Sequence, residues 1–304
     1  MKPETIEFYD ATDRDGDQTL GVSLSVEQKI AIARVDDEFG IDTVEVGFPE
    51  SNEVDDAVFA ALRRNPLKNA QHAAFGKTRK KNTEVGDDQS LQALKTTEAP
   101  VLTVVGKSSK LHVQDAIHAS LVENRRMIAD SVAALQKKGT RVIYDAEHFF
   151  DAYYEGEDGR EYAMDTLKAA VEAGVETVVL CDTNGGQTPE RIAEAVRAVR
   201  EAFEDVLIGI HPHNDRGLAT ANMLAAVQAG ARHVQGTWNR TGERTGNLDL
   251  VEALGNIHLL SKEQQDAGET GFTNPALDNI GQLTQMSQKI ASIMRMPRIP
   301  NQPF

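Results

Sequence analysis

His211 and His213, one residue apart, close the apolar run LIGIHP and lead into Asn214 and Asp215. In an extended chain residues i and i+2 face one side, so this spacing offers two imidazoles to a single point. Two imidazoles with oxygen donors, and coordination positions left open, suit a catalytic divalent cation. Oxygen donors are at hand in Asp10-Ala11-Thr12-Asp13-Arg14-Asp15-Gly16, which holds three carboxylates and one guanidinium. Three further polar clusters follow apolar runs: Asp145-Ala146-Glu147-His148, Asp182-Thr183-Asn184 and Gly242-Glu243-Arg244-Thr245-Gly246-Asn247. Taken singly, the histidine pair also reads as two polar residues ending a strand, and the acidic run as a solvated turn. Five such clusters, each at the end of an apolar run, point to one site assembled from several chain segments.

The apolar runs are the elements that must position these groups. Strand-like runs lie at 6–11, 43–48, 71–76, 101–106, 141–146, 177–182, 207–212 and 233–238. Apolar residues dominate both faces, the pattern of parallel strands covered on both sides. Between them lie amphipathic segments with helix signals. Ser25 and Gln28 form a capping-box pattern with Gly40 as a stop, and Thr188 precedes Pro189 at a first helical turn. A third amphipathic segment, Val113 to Lys138, is long enough to contain a bend, and further helices are expected from Leu248 to about Lys262 and from about Leu277 to Met296. Eight β/α units predict an α/β fold, a (β/α)₈ TIM barrel with a short C-terminal helical extension. Residues 1–262 form the barrel in this reading, and 263–304 a polar linker, a helix and an irregular tail, PRIPNQPF. The rival, an open doubly wound sheet, would show a Gly-rich phosphate turn after the first strand; DRDGDQ has one Gly. All five clusters fall on the rim where barrel strands end, which is where such barrels place active sites. Nothing comparable is expected on the opposite rim.

Composition narrows the partners. A net charge of −15 excludes the basic footprint that nucleic acid requires. No run of 18 apolar residues is present, so no membrane partner is expected. The start, MKPETIEFYD, has no apolar signal core. Cys181 is the single cysteine, so no intrachain disulfide forms and a cytoplasmic location is expected. Its apolar surroundings predict an inert thiol. Lys77-Thr78-Arg79-Lys80-Lys81 is a basic run in an acidic chain. It reads as a solvated loop or as a contact for phosphates.

Several motifs carry a resemblance. YDATDRDGDQ resembles the metal-binding opening of the DRE-TIM metallolyase superfamily, usually D-T-T-L-R-D-G. The segments H-x-H-N-D (His211 to Asp215) and G-E-R-x-G-N (Gly242 to Asn247) fit the same superfamily. AFGKTR (74–79), VVGKSSKLHV (104–113), VIYDAEHFFDAY (142–153) and LCDTNGG (180–186) look like its citramalate synthase branch, related to the 2-isopropylmalate synthases. The resemblance covers about residues 5 to 262. It implies metal ligands at Asp15, His211, His213 and Asn247. It implies a catalytic Arg14, with Glu147 and Thr183 orienting substrate and Glu147 available for proton transfer. The implied cofactor is a divalent metal (Mn²⁺, Mg²⁺ or Zn²⁺), with acetyl-CoA as co-substrate, a small 2-oxo acid such as pyruvate as acceptor, and a homodimer as the assembly. Asp13 stands where the superfamily has Leu, and would add charge beside the metal or bind it. Lys107 and His112 lie on the active rim without an assigned role.

The resemblance thus implies a metal-dependent acyltransferase that joins acetyl-CoA to a 2-oxo acid. A lyase cleaving a C–C bond with the same metal, and a metal-binding relative serving as a partner subunit, are the competing expectations. In the synthases a segment like Asn301-Gln302-Pro303 leads into subdomains that contribute a further His. Residues 1–304 are therefore expected to bind metal and 2-oxo acid but to condense acetyl-CoA slowly.

Overall fold

The computed structural model of the chain describes residues 4–49, 51–297 and 301–304. All eight expected strands form: β1 (Glu7–Asp10), β2 (Thr43–Gly47), β3 (Gln71–Lys77), β4 (Val101–Lys107), β5 (Arg141–Glu147), β6 (Thr177–Asp182), β7 (Leu207–Pro212) and β8 (His233–Gly236). Each pairs in parallel with the next, and β8 pairs back onto β1, so the sheet closes into a barrel. Closure rules out the open doubly wound sheet. The side chains of successive residues alternate between two environments. Tyr9, Ala73, Val101, Ile143, Val179 and Cys181 fill the barrel interior. Their neighbours, such as Phe8, Val44, Val142, Val178 and Ile210, join the large core under the helices.

The local signals act as their chemistry dictates. The Ser25 hydroxyl accepts from the Gln28 amide and the Gln28 side chain accepts from the Ser25 amide, starting the helix Val26–Phe39. Gly40 ends it in the left-handed region at φ 103°. Pro189 opens the helix Pro189–Ala202, although the Thr188 side chain makes no capping bond there.

The segment Val113 to Lys138 does bend, and the bend is a full break. A short helix, Lys110–Asp115, ends before His118, which sits at φ 51°, and a second helix, Leu121–Leu135, starts on a Ser120 cap. Val113, Ala119, Met127 and Tyr162 form their own small apolar cluster across this break, so packing overrides local helical preference. Three expectations need correction, the first being the linker after Lys262, which is not free. The helix Leu250–Asp266 continues past it, and Phe272–Thr273 pairs in parallel with Glu4–Thr5. Asn274 then donates to the Ile6 carbonyl at 2.8 Å and the Asp42 carboxylate at 2.7 Å. The expected last helix is instead Pro275–Asp278, a short 3₁₀ turn, and Leu283–Met294. Residues 298–300 of the expected irregular tail lie outside the described residues; 301–304 are in neither helix nor strand.

The third correction concerns the rim where strands begin. Glu7, Arg141, Thr177 and His233 meet there. The Arg141 guanidinium donates to Glu7 and to the Thr177 hydroxyl, both at 2.7 Å, and His233 Nδ1 lies 3.0 Å from Glu7. No helix among the described residues is long and apolar enough to cross a membrane.

Candidate active site

The turn after β1 places Asp15. The amides of Arg14, Asp15 and Gly16 all point back to the Ala11 carbonyl, at 3.3, 2.8 and 3.0 Å, which winds the chain tightly and turns Asp15 over the barrel mouth. Gly16 is needed there, since a Cβ would lie 2.5 Å from Thr241 Oγ1. His211 ends β7 one residue before the strand does, and His213 follows. The ligating atoms of Asp15, His211 and His213 lie within 4.8 Å of one another, and all three residues are buried. His211 Nε2 is 3.3 Å from Asp15 Oδ2. Asn247 forms an isolated antiparallel bridge with His213 and donates through Nδ2 to the Thr241 carbonyl at 3.0 Å. That leaves Asn247 Oδ1 and His213 Nδ1 buried without a hydrogen-bond partner. Buried, unpartnered acceptors are costly unless something satisfies them. A divalent cation fits this oxygen and imidazole donor set.

The electrostatics agree. Burial raises the Asp15 carboxyl, but the Arg14 charge and the His211 contact outweigh it and hold the group well below the usual range. Burial, reinforced by the neighbouring His211, pushes His213 down to about 3, so its ring is neutral as a ligand must be. Burial also disfavours a charged His211, yet Asp15 overrides it and raises the pKa. Asp13, expected to bring charge to the metal, is fully buried with both oxygens unpartnered, and burial pushes its carboxyl well above the usual range. It does not belong to the convergent group.

Arg14 is held on two sides. Its Nε donates to Glu45 Oε2 at 2.6 Å and its guanidinium lies 3.8 Å from the Phe75 ring centroid. Glu45 is itself clamped by the Tyr9 hydroxyl at 2.7 Å, which also contacts Thr103. Glu147 ends β5 and pairs with Lys107, its register partner on β4. The Thr183 hydroxyl accepts from the His148 amide at 2.8 Å, which leaves its own proton free to donate. His148 stacks flat on His112, 3.6 Å between centroids, and contacts Asp151 at 2.9 Å. His112 thus supports the loop that carries Glu147.

These groups line one cavity of about 820 Å³. Arg14, Asp15, Glu147, Thr183, His211 and His213 line it, and Lys77, Lys80 and Lys81 border it as well. Ala116, Ile117 and Met127 add an apolar strip. Arg79 lines the cavity too, but its guanidinium is already engaged. It pairs with Glu123 and Asp130, both at 2.7 Å, and so anchors the loop. Cys181 also reaches the cavity wall, and burial pushes its thiol well above its ordinary value, away from nucleophilic use.

Sequence reasoning missed Glu45 and Gln235. Each is a polar residue at an inward position of its strand, and that register was the available signal. Gln235 Oε1 lies 2.8 Å from His211 Nδ1.

A constellation of this kind can be compared with known proteins. Residues 5–287 match the family profile described as HMGL-like. The chain belongs to the HMGL-like family. It is 44% identical over 301 residues to an (R)-citramalate synthase of Aquifex aeolicus (strain VF5), covering 99% of this chain and 55% of that one. It is 41% identical over 304 residues to the (R)-citramalate synthase of Sulfolobus acidocaldarius, covering 100% and 56%. The chain therefore spans a little over half the length of these relatives. Among solved structures, the HMG-CoA lyase of Bacillus subtilis superposes with a TM-score of 0.79 at 21% identity, covering 99% of this chain and 98% of that one. That likeness shows the shared barrel fold.

Proposed function

We propose that the chain condenses acetyl-CoA with pyruvate to give citramalate and free CoA. The observation that carries this reading is the convergence of Asp15, His211 and His213 beside Arg14 in one cavity, in a chain 44% identical to an (R)-citramalate synthase. A bond forms between the acetyl methyl carbon and the ketone carbon, and water then cleaves the thioester. Asp15, His211, His213 and Asn247 would hold a divalent metal, which when bound supplies Lewis acidity toward the oxo acid. Arg14, fixed by Glu45 and Phe75, stabilises negative charge growing on the ketone oxygen. The free Thr183 proton hydrogen-bonds the substrate carboxylate. Glu147 accepts a methyl proton, with Lys107 as its neighbour. Lys77, Lys80 and Lys81 serve the CoA phosphates, and Ala116, Ile117 and Met127 cover its apolar arm. A cytosolic homodimer completes the proposal, and light scattering checks its mass.

The test is calorimetry of pyruvate with the Mn²⁺-treated chain, beside continuous detection of free thiol and product analysis. Metal-dependent pyruvate binding, with citramalate formed below an ordinary enzyme rate of about 1–10 s⁻¹, is the expected result. Failure to bind pyruvate in the presence of Mn²⁺, or cleavage of hydroxymethylglutaryl-CoA in place of condensation, refutes the assignment.

A further inference from the structure

A line of hydrogen bonds runs through the barrel interior from His211 to the opposite rim, and Gln235 is its branch point. Gln235 Oε1 lies 2.8 Å from His211 Nδ1. Gln235 Nε2 lies 3.2 Å from Asp145 Oδ1 and 3.4 Å from His233 Nε2. His233 Nδ1 in turn lies 3.0 Å from Glu7. Strand alternation puts His233 and Gln235 on the same inward face of β8. The neighbouring strand makes room for them. Gly209 is the register partner of His233, and a Cβ at Gly209 would lie 2.9 Å from His233 Cδ2.

The proton positions follow by elimination. With the amide oxygen toward His211, that ring must carry a proton on Nδ1, which leaves Nε2, now sharing a proton with Asp15, as the atom that a cation would take in place of that proton. The two amide protons go to Asp145 and to His233 Nε2. His233 then donates its single proton from Nδ1 to Glu7 and stays neutral, in keeping with burial lowering its pKa. The reversed amide is worse. It sets an oxygen against His233 Nε2 while Nδ1 still faces a carboxylate, which demands a doubly protonated ring inside the barrel, against the direction in which burial moves His233.

The geometry points to Gln235 as a positioning residue that presents His211 Nε2 to the metal of the proposed centre. This rests on the metal-centre reading above. Gln235 touches neither substrate nor metal; it acts through His211 alone. Such partners behind a ligating histidine fix its tautomer and orientation, and removing one weakens metal binding on the order of 10–100-fold.

The experiment is calorimetric titration of the full chain with Mn²⁺, for the unaltered protein, Gln235→Leu and Gln235→Glu. The leucine removes the acceptor, and the glutamate keeps an oxygen opposite His211 Nδ1. The expected result is affinity about 10–100-fold weaker for Gln235→Leu and within a factor of about three for Gln235→Glu. Equal affinity for Gln235→Leu and the unaltered chain, or equal loss in both variants, overturns the proposal. Nitrogen NMR of the histidine rings in the unaltered chain loaded with Zn²⁺ needs no variant. A His211 proton found on Nε2 there overturns it as well. If the unaltered chain binds neither ion, the metal centre itself is refuted, and this inference falls with it. A loss confined to Gln235→Leu speaks to Gln235 only.

Discussion

Replacing Arg14 by lysine separates its observed hold on Glu45 from the charge-stabilising role proposed for it. Its Nε is committed to Glu45 at 2.6 Å, while its Nη atoms remain to serve the cavity, one of them 3.4 Å from Asp15. An ammonium is a single point charge and cannot face both ways. Glu45 is fully buried, and stripping a buried charge of its partner costs about 3–5 kcal/mol. Losing one donor to a developing oxyanion costs about 2.7–4 kcal/mol, or 10²–10³ in kcat. The two costs are close, but the first applies to every molecule in the resting state and the second only at the transition state. The substituted ammonium therefore stays with Glu45, the fold is kept, and kcat falls about 10²–10³-fold. The assay is steady-state release of free CoA with pyruvate and Mn²⁺, with thermal melts as the control on folding. Turnover of Arg14→Lys within threefold of the unaltered chain would show that Arg14 serves Glu45 alone, and the charge-stabilising role would be wrong.

Two predictions concern stability. Burial works to raise the Glu7 carboxyl, but His233 and Arg141 hold it at about 2 against an ordinary 4.5, worth about 3 kcal/mol at ~1.4 kcal/mol per pH unit. Because the folded value is the lower one, that contribution is present above pH 4.5 and disappears as pH falls through 2. Urea midpoints of Glu7→Gln and the unaltered chain should thus converge below pH 4.5, and a gap that ignores pH refutes the account. Trp238 donates from its indole to Asp36 at 2.7 Å, and Asp36 is paired with a second buried carboxyl, Asp10, so that burial and this neighbour push it well above its ordinary range. Trp238→Phe should destabilise by about 1–3 kcal/mol in urea unfolding; a neutral result would mean that the buried Asp10–Asp36 pair finds its protons without the indole.

The site was legible in the sequence where its logic is local. His211 and His213 share a face because strand geometry has a period of two, and Asp15 follows a strand end that its own apolar run announces. The clusters at 145–148, 182–184 and 242–247 likewise follow strand ends, and the capping box at Ser25 needs only the four residues that make it. The eight strands and the barrel they close could be read for the same reason: both-faced apolar runs of that length leave few other ways to be covered.

What the sequence alone determined is therefore the set of elements, their order, and the residue types each delivers to one rim. Which lone polar residues meet inside was decided by closure. Glu7, Arg141, Thr177 and His233 come from four strands, each unremarked in its own run, and only the register of a closed barrel stacks them together. Glu45 reaches Arg14 across 31 positions, and Gln235 reaches His211 across 24. The break after Asp115 and the pairing of Phe272–Thr273 with Glu4–Thr5 are of the same kind. In each case the favourable contact lies with a residue far away in the chain, so no local pattern of hydrophobicity or capping records it, and packing decides.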